Sequence, residues 1–97
     1  MKAFPVTEDL AKIARRIVWF EPPELSLSDP VRFLAYAMAR ATAEDMAKIR
    51  QYISDRDFIV ALDAAPPGII DPRSWSYWNL VVAGRQPAPP MPVRRFA

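Results

Sequence analysis

Apolar residues recur at helical spacing along most of the chain, and four stretches before residue 66 show this pattern. The first stretch runs from about Glu8 to Trp19, with Thr7 as a candidate N-cap. Its apolar stripe consists of Leu10, Ile13, Ala14 and Ile17. Trp19 projects away from this stripe. The helix must end before Pro22 and Pro23, because a residue that precedes proline avoids helical geometry.

Three more helices are predicted after residues 21–28, which we expect to form an extended connector. The second helix begins at Ser28-Asp29-Pro30 and reaches Arg40, and capping signals at Thr42 and Ser54 open the third and fourth. The third helix is predicted to run to Ile53, and the fourth to end at Ala65, before Pro66. Their inward positions are Val31, Leu34, Met38 and Ala41, then Met46, Ile49 and Ile53, and then Phe58, Ala61, Leu62 and Ala65. Connections of one or two residues force sharp reversals. The pattern therefore predicts a compact all-α domain of about five short helices.

The fifth predicted helix starts at Asp71-Pro72, stops at Gly84 and contains two of the three tryptophans. One broad apolar stripe is formed by Trp75, Trp78, Val81 and Val82, whereas Tyr77 and Leu80 fall on the far side. A helix that is apolar on both sides is normally covered on both sides. This helix is therefore either the centre of the core, or covered half by its own domain and half by another chain.

Arg73 is the only charge on the fifth helix and lies in its first turn, the unfavourable end for a cation. Two explanations fit this placement. A nearby carboxylate, such as Asp71 or an acid of the third helix, could pair with the guanidinium. Alternatively, Arg73 could bind a phosphate or a carboxylate of a partner.

Residues 85–97 contain four prolines and no acidic residue, so we expect a proline-rich, polyproline-like or disordered arm after a helical domain of residues 1–84. The net charge of +2 comes from this arm. Without Arg85, Arg94 and Arg95, the body has ten basic and eleven acidic groups. Arg94-Arg95-Phe96 has the form of a short motif that binds a partner's groove, although disorder without function is the alternative.

DNA binding has little support in the charge pattern, since a near-neutral body lacks the basic face that nucleic acid requires. The third and fourth helices have the outline of a helix-turn-helix. On the fourth helix, however, only Arg56 is suited to contact base edges, and Asp57 and Asp63 would oppose phosphate. A DNA-binding transcriptional regulator thus stays an alternative.

Catalytic chemistry is also not indicated, because the chain has no histidine, no cysteine and only two glycines. The acidic pairs Glu44-Asp45 and Asp55-x-Asp57 lie in first turns of helices, where acids complement the helix dipole. We therefore expect no enzyme activity, no metal and no cofactor. No apolar run approaches a membrane span, and the N-terminus lacks a signal-peptide pattern, so we expect a cytoplasmic protein without a membrane partner.

The segment Thr42-Ala43-Glu44-Asp45, then a short helix pair, then Pro72-Arg73-Ser74-Trp75-Ser76-Tyr77-Trp78 resembles a group of small bacterial helical proteins. Their common feature is a Pro-Arg-Ser-Trp-x-aromatic-Trp segment, and the resemblance covers residues 29–80. Some members have a basic residue after the second tryptophan, where this chain has Asn79. Such proteins are often encoded beside nucleotidyltransferase-fold toxins of the AbiEii type and are regarded as their antitoxins. The resemblance implies a toxin-antitoxin system in which this chain neutralises the co-encoded toxin.

A non-catalytic helical module with a two-sided apolar helix predicts a protein that binds another protein. The candidate partner-binding residues are Arg73, Trp75, Tyr77, Trp78, Leu80, Arg94, Arg95 and Phe96. A homo-oligomeric structural module, for example a homodimer that pairs through the fifth helix, is a further alternative.

Overall fold

Six α-helices form the regular structure of residues 1–93, the part of the chain that the computed structural model describes. They are α1 (Glu8–Ile17), α2 (Pro23–Ser28), α3 (Pro30–Arg40), α4 (Ala43–Ile49), α5 (Asp55–Asp63) and α6 (Pro72–Ala83). The described residues contain no strand. The prediction of a compact all-α domain is therefore confirmed, with one helix more than expected.

The predicted helix starts are confirmed by side-chain caps that satisfy free amide groups. Thr7 and Asp71 each accept a hydrogen bond, from the backbone N–H groups of Leu10 and Ser74 respectively, over 3.1 Å. Both predicted capping boxes are complete. In each, the hydroxyl of the cap residue accepts from the backbone N–H of the acid three residues later, and the carboxylate of that acid accepts from the backbone N–H of the cap residue. Gly84 ends α6 in the left-handed conformation (φ +64°) that favours glycine.

The predicted extended connector at residues 21–28 is wrong, because α2 occupies most of it. Pro23 begins this helix at the position where a missing N–H costs nothing and a fixed φ is helical. Leu27 and Ser26 are buried, and the Leu27 carbonyl accepts from the N–H of Phe4 over 3.0 Å. Packing against the N-terminal segment and α1 therefore stabilises a helix of six residues, which is too short to show a periodic signal.

Three predicted helices also end earlier than expected. They stop at Ile17 instead of Trp19, at Ile49 instead of Ile53, and at Asp63 instead of Ala65. Val18 and Ala65 are nonetheless buried, so apolar residues just beyond a helix end extend the stripe without continuing the helix.

The centre of the domain is α3, which packs against α1, α2, α5 and α6. Its buried side chains are Phe33, Leu34, Ala35, Ala37 and Met38. The interpretation of the tryptophan helix as the central core helix is therefore wrong. Instead, α6 packs against α3 and α5 on one side only.

Residues 85–93 are not helical, as predicted, but they lie against the domain. Ala88 and Met91 pack on the core, and the indole N–H of Trp75 donates to the carbonyl of Pro89. The prediction of a disordered arm is therefore wrong over residues 85–93, since the buried indole requires an acceptor and this segment supplies it. Arg94, Arg95 and Phe96 lie outside the described residues. Within residues 1–93, no helix has the length and apolarity needed to cross a bilayer.

Candidate protein-binding surface

The helix α6 has one buried face and one exposed apolar face. Trp75, Asn79 and Val82 are buried, whereas Tyr77, Leu80 and Val81 are 56%, 46% and 49% exposed. We call these three exposed residues the outer face of α6. The helical wheel wrongly placed Val81 inward, and the interpretation of α6 as half covered by its own domain agrees with the structure.

Trp75 and Trp78, both predicted to bind a partner, differ in their surroundings. Trp75 is 5% exposed and is a core residue, so a partner cannot contact it directly. Trp78 is half-buried and stacks on Phe58, with ring centroids 5.4 Å apart and planes 6° from parallel. Its indole N–H donates to the carbonyl of Met38 over 3.2 Å. Trp78 thus fixes α6 on α3 and α5 while its remaining surface stays accessible.

Asn79, the residue at which the resemblance departs from its pattern, is fully buried. Its amide donates to the carbonyl of Trp75 over 2.9 Å, and its oxygen accepts from Arg85 over 3.2 Å. Arg85 also forms a two-point ion pair with Asp63, at 2.7 and 3.2 Å, which lowers the pKa of Asp63. Asn79 therefore stabilises the fold at the end of α6 and is not part of a binding surface.

A groove of about 560 Å³ separates the N-terminal half of α6 from α4. The end of α3 contributes to it, with buried Met38, and α4 contributes buried Met46. Trp78 and Tyr77 line the α6 side, and Tyr77 joins the groove to the outer face of α6. We call this feature the α4–α6 groove.

Among residues 1–93, two guanidinium groups line the α4–α6 groove and no carboxylate does. Arg50 forms an ion pair with Asp55 and lies 5.2 Å from the centroid of the Phe58 ring. Arg73 is exposed and forms no ion pair within residues 1–93. The expected pairing of Arg73 with a domain carboxylate is therefore wrong for the described residues. Asp71 instead caps α6, and its hydrogen bonds from Ser74 lower its pKa.

A second exposed aromatic cluster, which sequence reasoning did not find, lies at the end of α1. Trp19 is 73% exposed and meets Phe20 edge-on, with centroids 5.4 Å apart. Tyr36 meets Phe20 at 5.7 Å, and the Arg32 guanidinium lies 5.2 Å from the Tyr36 ring. The position of Trp19 off the apolar stripe was the available signal, but the partner rings come from outside α1.

The acidic pairs that were considered for chemistry have structural explanations. Asp45 and Asp57 each accept from the backbone of their capping box, and Asp45 also pairs with Arg16. Within residues 1–93, no group of three or more potential metal-ligating side chains comes together. In the predicted helix-turn-helix, α5 is the second helix, and its first residue, Asp55, pairs with Arg50 at the end of α4.

The surface thus consists of the apolar outer face of α6, which Tyr77 joins to the α4–α6 groove. Arg50 and Arg73 form the cationic rim of this groove.

No family model, curated protein or solved structure matches this chain.

Proposed function

We propose that this chain is a non-catalytic module that binds another protein through the outer face of α6 and the adjoining α4–α6 groove. The exposure of Tyr77, Leu80 and Val81 on a helix whose opposite face is core carries this proposal. An apolar surface of this kind on a small domain is typical of a binding site.

The residue types at this surface also support binding to protein. Tyrosine, tryptophan, methionine and arginine are enriched where proteins contact each other. Tyrosine, tryptophan and arginine also dominate binding energies there. The α4–α6 groove is lined by all four types. By contrast, α5, the second helix of the predicted helix-turn-helix, offers Arg56 as its candidate for base contacts, so the DNA-binding alternative has less support.

The proposed partner is a co-encoded nucleotidyltransferase-type toxin of the cytoplasm, which the resemblance of the Pro72–Trp78 segment implies. In this proposal the chain acts as an antitoxin, and it neutralises the toxin by covering the cleft that takes nucleotide and RNA. Such a role requires a stable surface and no reactive group. The absence of histidine and cysteine from the chain is compatible with that requirement.

The test is co-expression with the product of the adjacent gene, followed by a growth assay and a pull-down. The informative variant is Tyr77→Ser with Leu80→Ser, which removes two exposed side chains of the outer face and leaves the buried side chains of α6 in place. A matched control is Tyr52→Ser with Leu25→Ser, which replaces the same residue types at similarly exposed positions outside α6.

We expect the wild type and the control to bind and to restore growth, and the α6 variant to do neither while remaining folded by circular dichroism. Equal binding by both double variants would contradict the docking role of α6. If the purified chain is instead a dimer that the α6 variant converts to monomer, light scattering will identify a homo-oligomeric module and reject the antitoxin proposal.

A further inference from the structure

The α4–α6 groove has an apolar floor, formed by Met38, Met46 and Trp78, and a cationic rim, formed by Arg50 and Arg73. We infer that it receives an acidic, amphipathic segment of the partner protein, whose carboxylate pairs with Arg73 and whose apolar side chains contact Met38, Met46 and Trp78. This inference rests on the proposed function, because it names the chemistry of the partner at the same surface.

The floor of the groove is preformed. Met38 and Met46 are buried, and Trp78 is held by its stack on Phe58 and by its hydrogen bond to the Met38 carbonyl. An incoming apolar side chain therefore meets a fixed indole on one side and methionines, which adapt to irregular shapes, on the other.

The positive charges of the rim favour a ligand that carries a negative charge. Arg50 already has a carboxylate partner in Asp55, whereas Arg73 has none within residues 1–93. Arg73 also lies in the first turn of α6, where the helix dipole disfavours a cation. A partner carboxylate would remove this unfavourable interaction and could accept two parallel hydrogen bonds from the guanidinium.

A carboxylate on an apolar segment fits the groove better than a nucleic-acid backbone does. Nucleic acid requires several cations along a path, and within the described residues 1–93 the cations that line this groove are Arg50 and Arg73. The remaining lining is dominated by alanine, methionine and aromatic side chains, which match the apolar flanks of a peptide.

The binding test compares Arg73→Glu with Arg56→Glu, using the purified product of the adjacent gene as the probe. Arg56 is a close control, because it is exposed, unpaired within residues 1–93 and the second residue of α5, as Arg73 is of α6. We expect Arg73→Glu to raise Kd about tenfold or more. Arg56→Glu should change Kd by less than about threefold. Arg73→Met, which removes the charge and keeps an apolar stem, should weaken binding less than the reversal does.

The second measurement identifies the occupant by photo-crosslinking from a benzoyl-phenylalanine at Ala47, an exposed residue of the groove lining. We expect a partner peptide that contains an aspartate or glutamate next to apolar residues. Changing that acid to lysine should restore binding to Arg73→Glu.

The outcomes separate the two proposals. If Arg73→Glu binds as Arg56→Glu does while Tyr77→Ser with Leu80→Ser abolishes binding, the groove inference fails and the proposed function stands. If the wild type does not bind the probe, both fail. Crosslinks to a second copy of this chain, or to co-purified nucleic acid, would also overturn the inference.

Discussion

The indole N–H of Trp75 donates a hydrogen bond to the carbonyl oxygen of Pro89 over 2.7 Å, and thereby joins α6 to the segment that follows it. We expect Trp75→Phe to lower the free energy of unfolding by about 1–2 kcal/mol, because the hydrogen bond is lost and the smaller ring leaves space in the core. Urea denaturation followed by circular dichroism will measure the change.

The control for this prediction is Trp19→Phe, which makes the same substitution at an indole that is mostly exposed. Its effect should stay within about 0.5 kcal/mol. Equal losses from the two substitutions would show that the contact between Trp75 and Pro89 contributes nothing to stability.

The buried amide of Asn79 connects the α6 backbone to Arg85. Asn79→Ala removes the hydrogen bonds that the amide makes to the Trp75 carbonyl and to Arg85. We expect this loss to destabilise the domain by about 1–3 kcal/mol. Ser76→Ala, on the exposed side of the same helix, should be neutral or slightly stabilising because alanine favours helix. Thermal unfolding of the two variants distinguishes these cases, and a neutral Asn79→Ala would contradict the structural role.

The ion pair of Glu21 with Arg32 predicts a specific pH dependence. Two guanidinium N–H groups, at 2.7 and 2.8 Å, lower the pKa of Glu21 from its ordinary value of 4.5 more than burial raises it. Because the folded-state pKa is depressed, this stabilisation is fully present above about pH 4.5 and is lost as pH falls through the lowered pKa.

The measurement is the difference in unfolding free energy between wild type and Glu21→Gln as a function of pH. The difference should be largest near about pH 7 and shrink at acidic pH, where the protonated glutamate resembles glutamine. Glu24→Gln, at an exposed acid of α2 without an ion pair in residues 1–93, should change the unfolding free energy at pH 7 by less than about 0.5 kcal/mol. A pH-independent difference for Glu21→Gln would rule out this explanation.

The starts of the helices could be predicted because their signals are local. Thr7, Asp71 and the two capping boxes form hydrogen bonds to amides three residues away, so the sequence contains both partners side by side. The short α2 was missed because its stability comes from contacts with α1 and the N-terminal segment, which no six-residue window contains.

The two faces of α6 show what the sequence alone does not determine. The helical wheel predicts that Val81 faces inward, but Val81 is exposed. It gives no indication that Asn79 is buried, yet Asn79 is fully buried. Burial of Asn79 is tolerable because its amide meets the Trp75 carbonyl and Arg85. Likewise, Arg73 faces a groove only because α4, about thirty residues earlier, lies opposite α6. Such non-local packing decides which apolar positions stay exposed.

The two capping boxes provide a matched pair for the last prediction. Asp45 and Asp57 occupy the same position in Thr/Ser-x-x-Asp motifs, but Asp45 is buried and also pairs with Arg16 of α1. Asp57→Ala should cost about 1 kcal/mol, because the Ser54 N–H loses its hydrogen-bond partner in the capping box. Asp45→Ala should cost roughly 1 kcal/mol more, because it also removes a link between α1 and α4 and leaves a buried site without its polar group.

A double-mutant cycle with Arg16→Ala isolates that link. We expect a coupling free energy of about 0.5–1 kcal/mol between Arg16 and Asp45, reduced by salt because Arg16 is half exposed. Arg16 and Asp57 form no ion pair with each other, so the same cycle with Asp57→Ala should give a coupling near zero. If the two cycles agree, then Asp45 acts only as a helix cap, and α4 is held on α1 by apolar contacts alone.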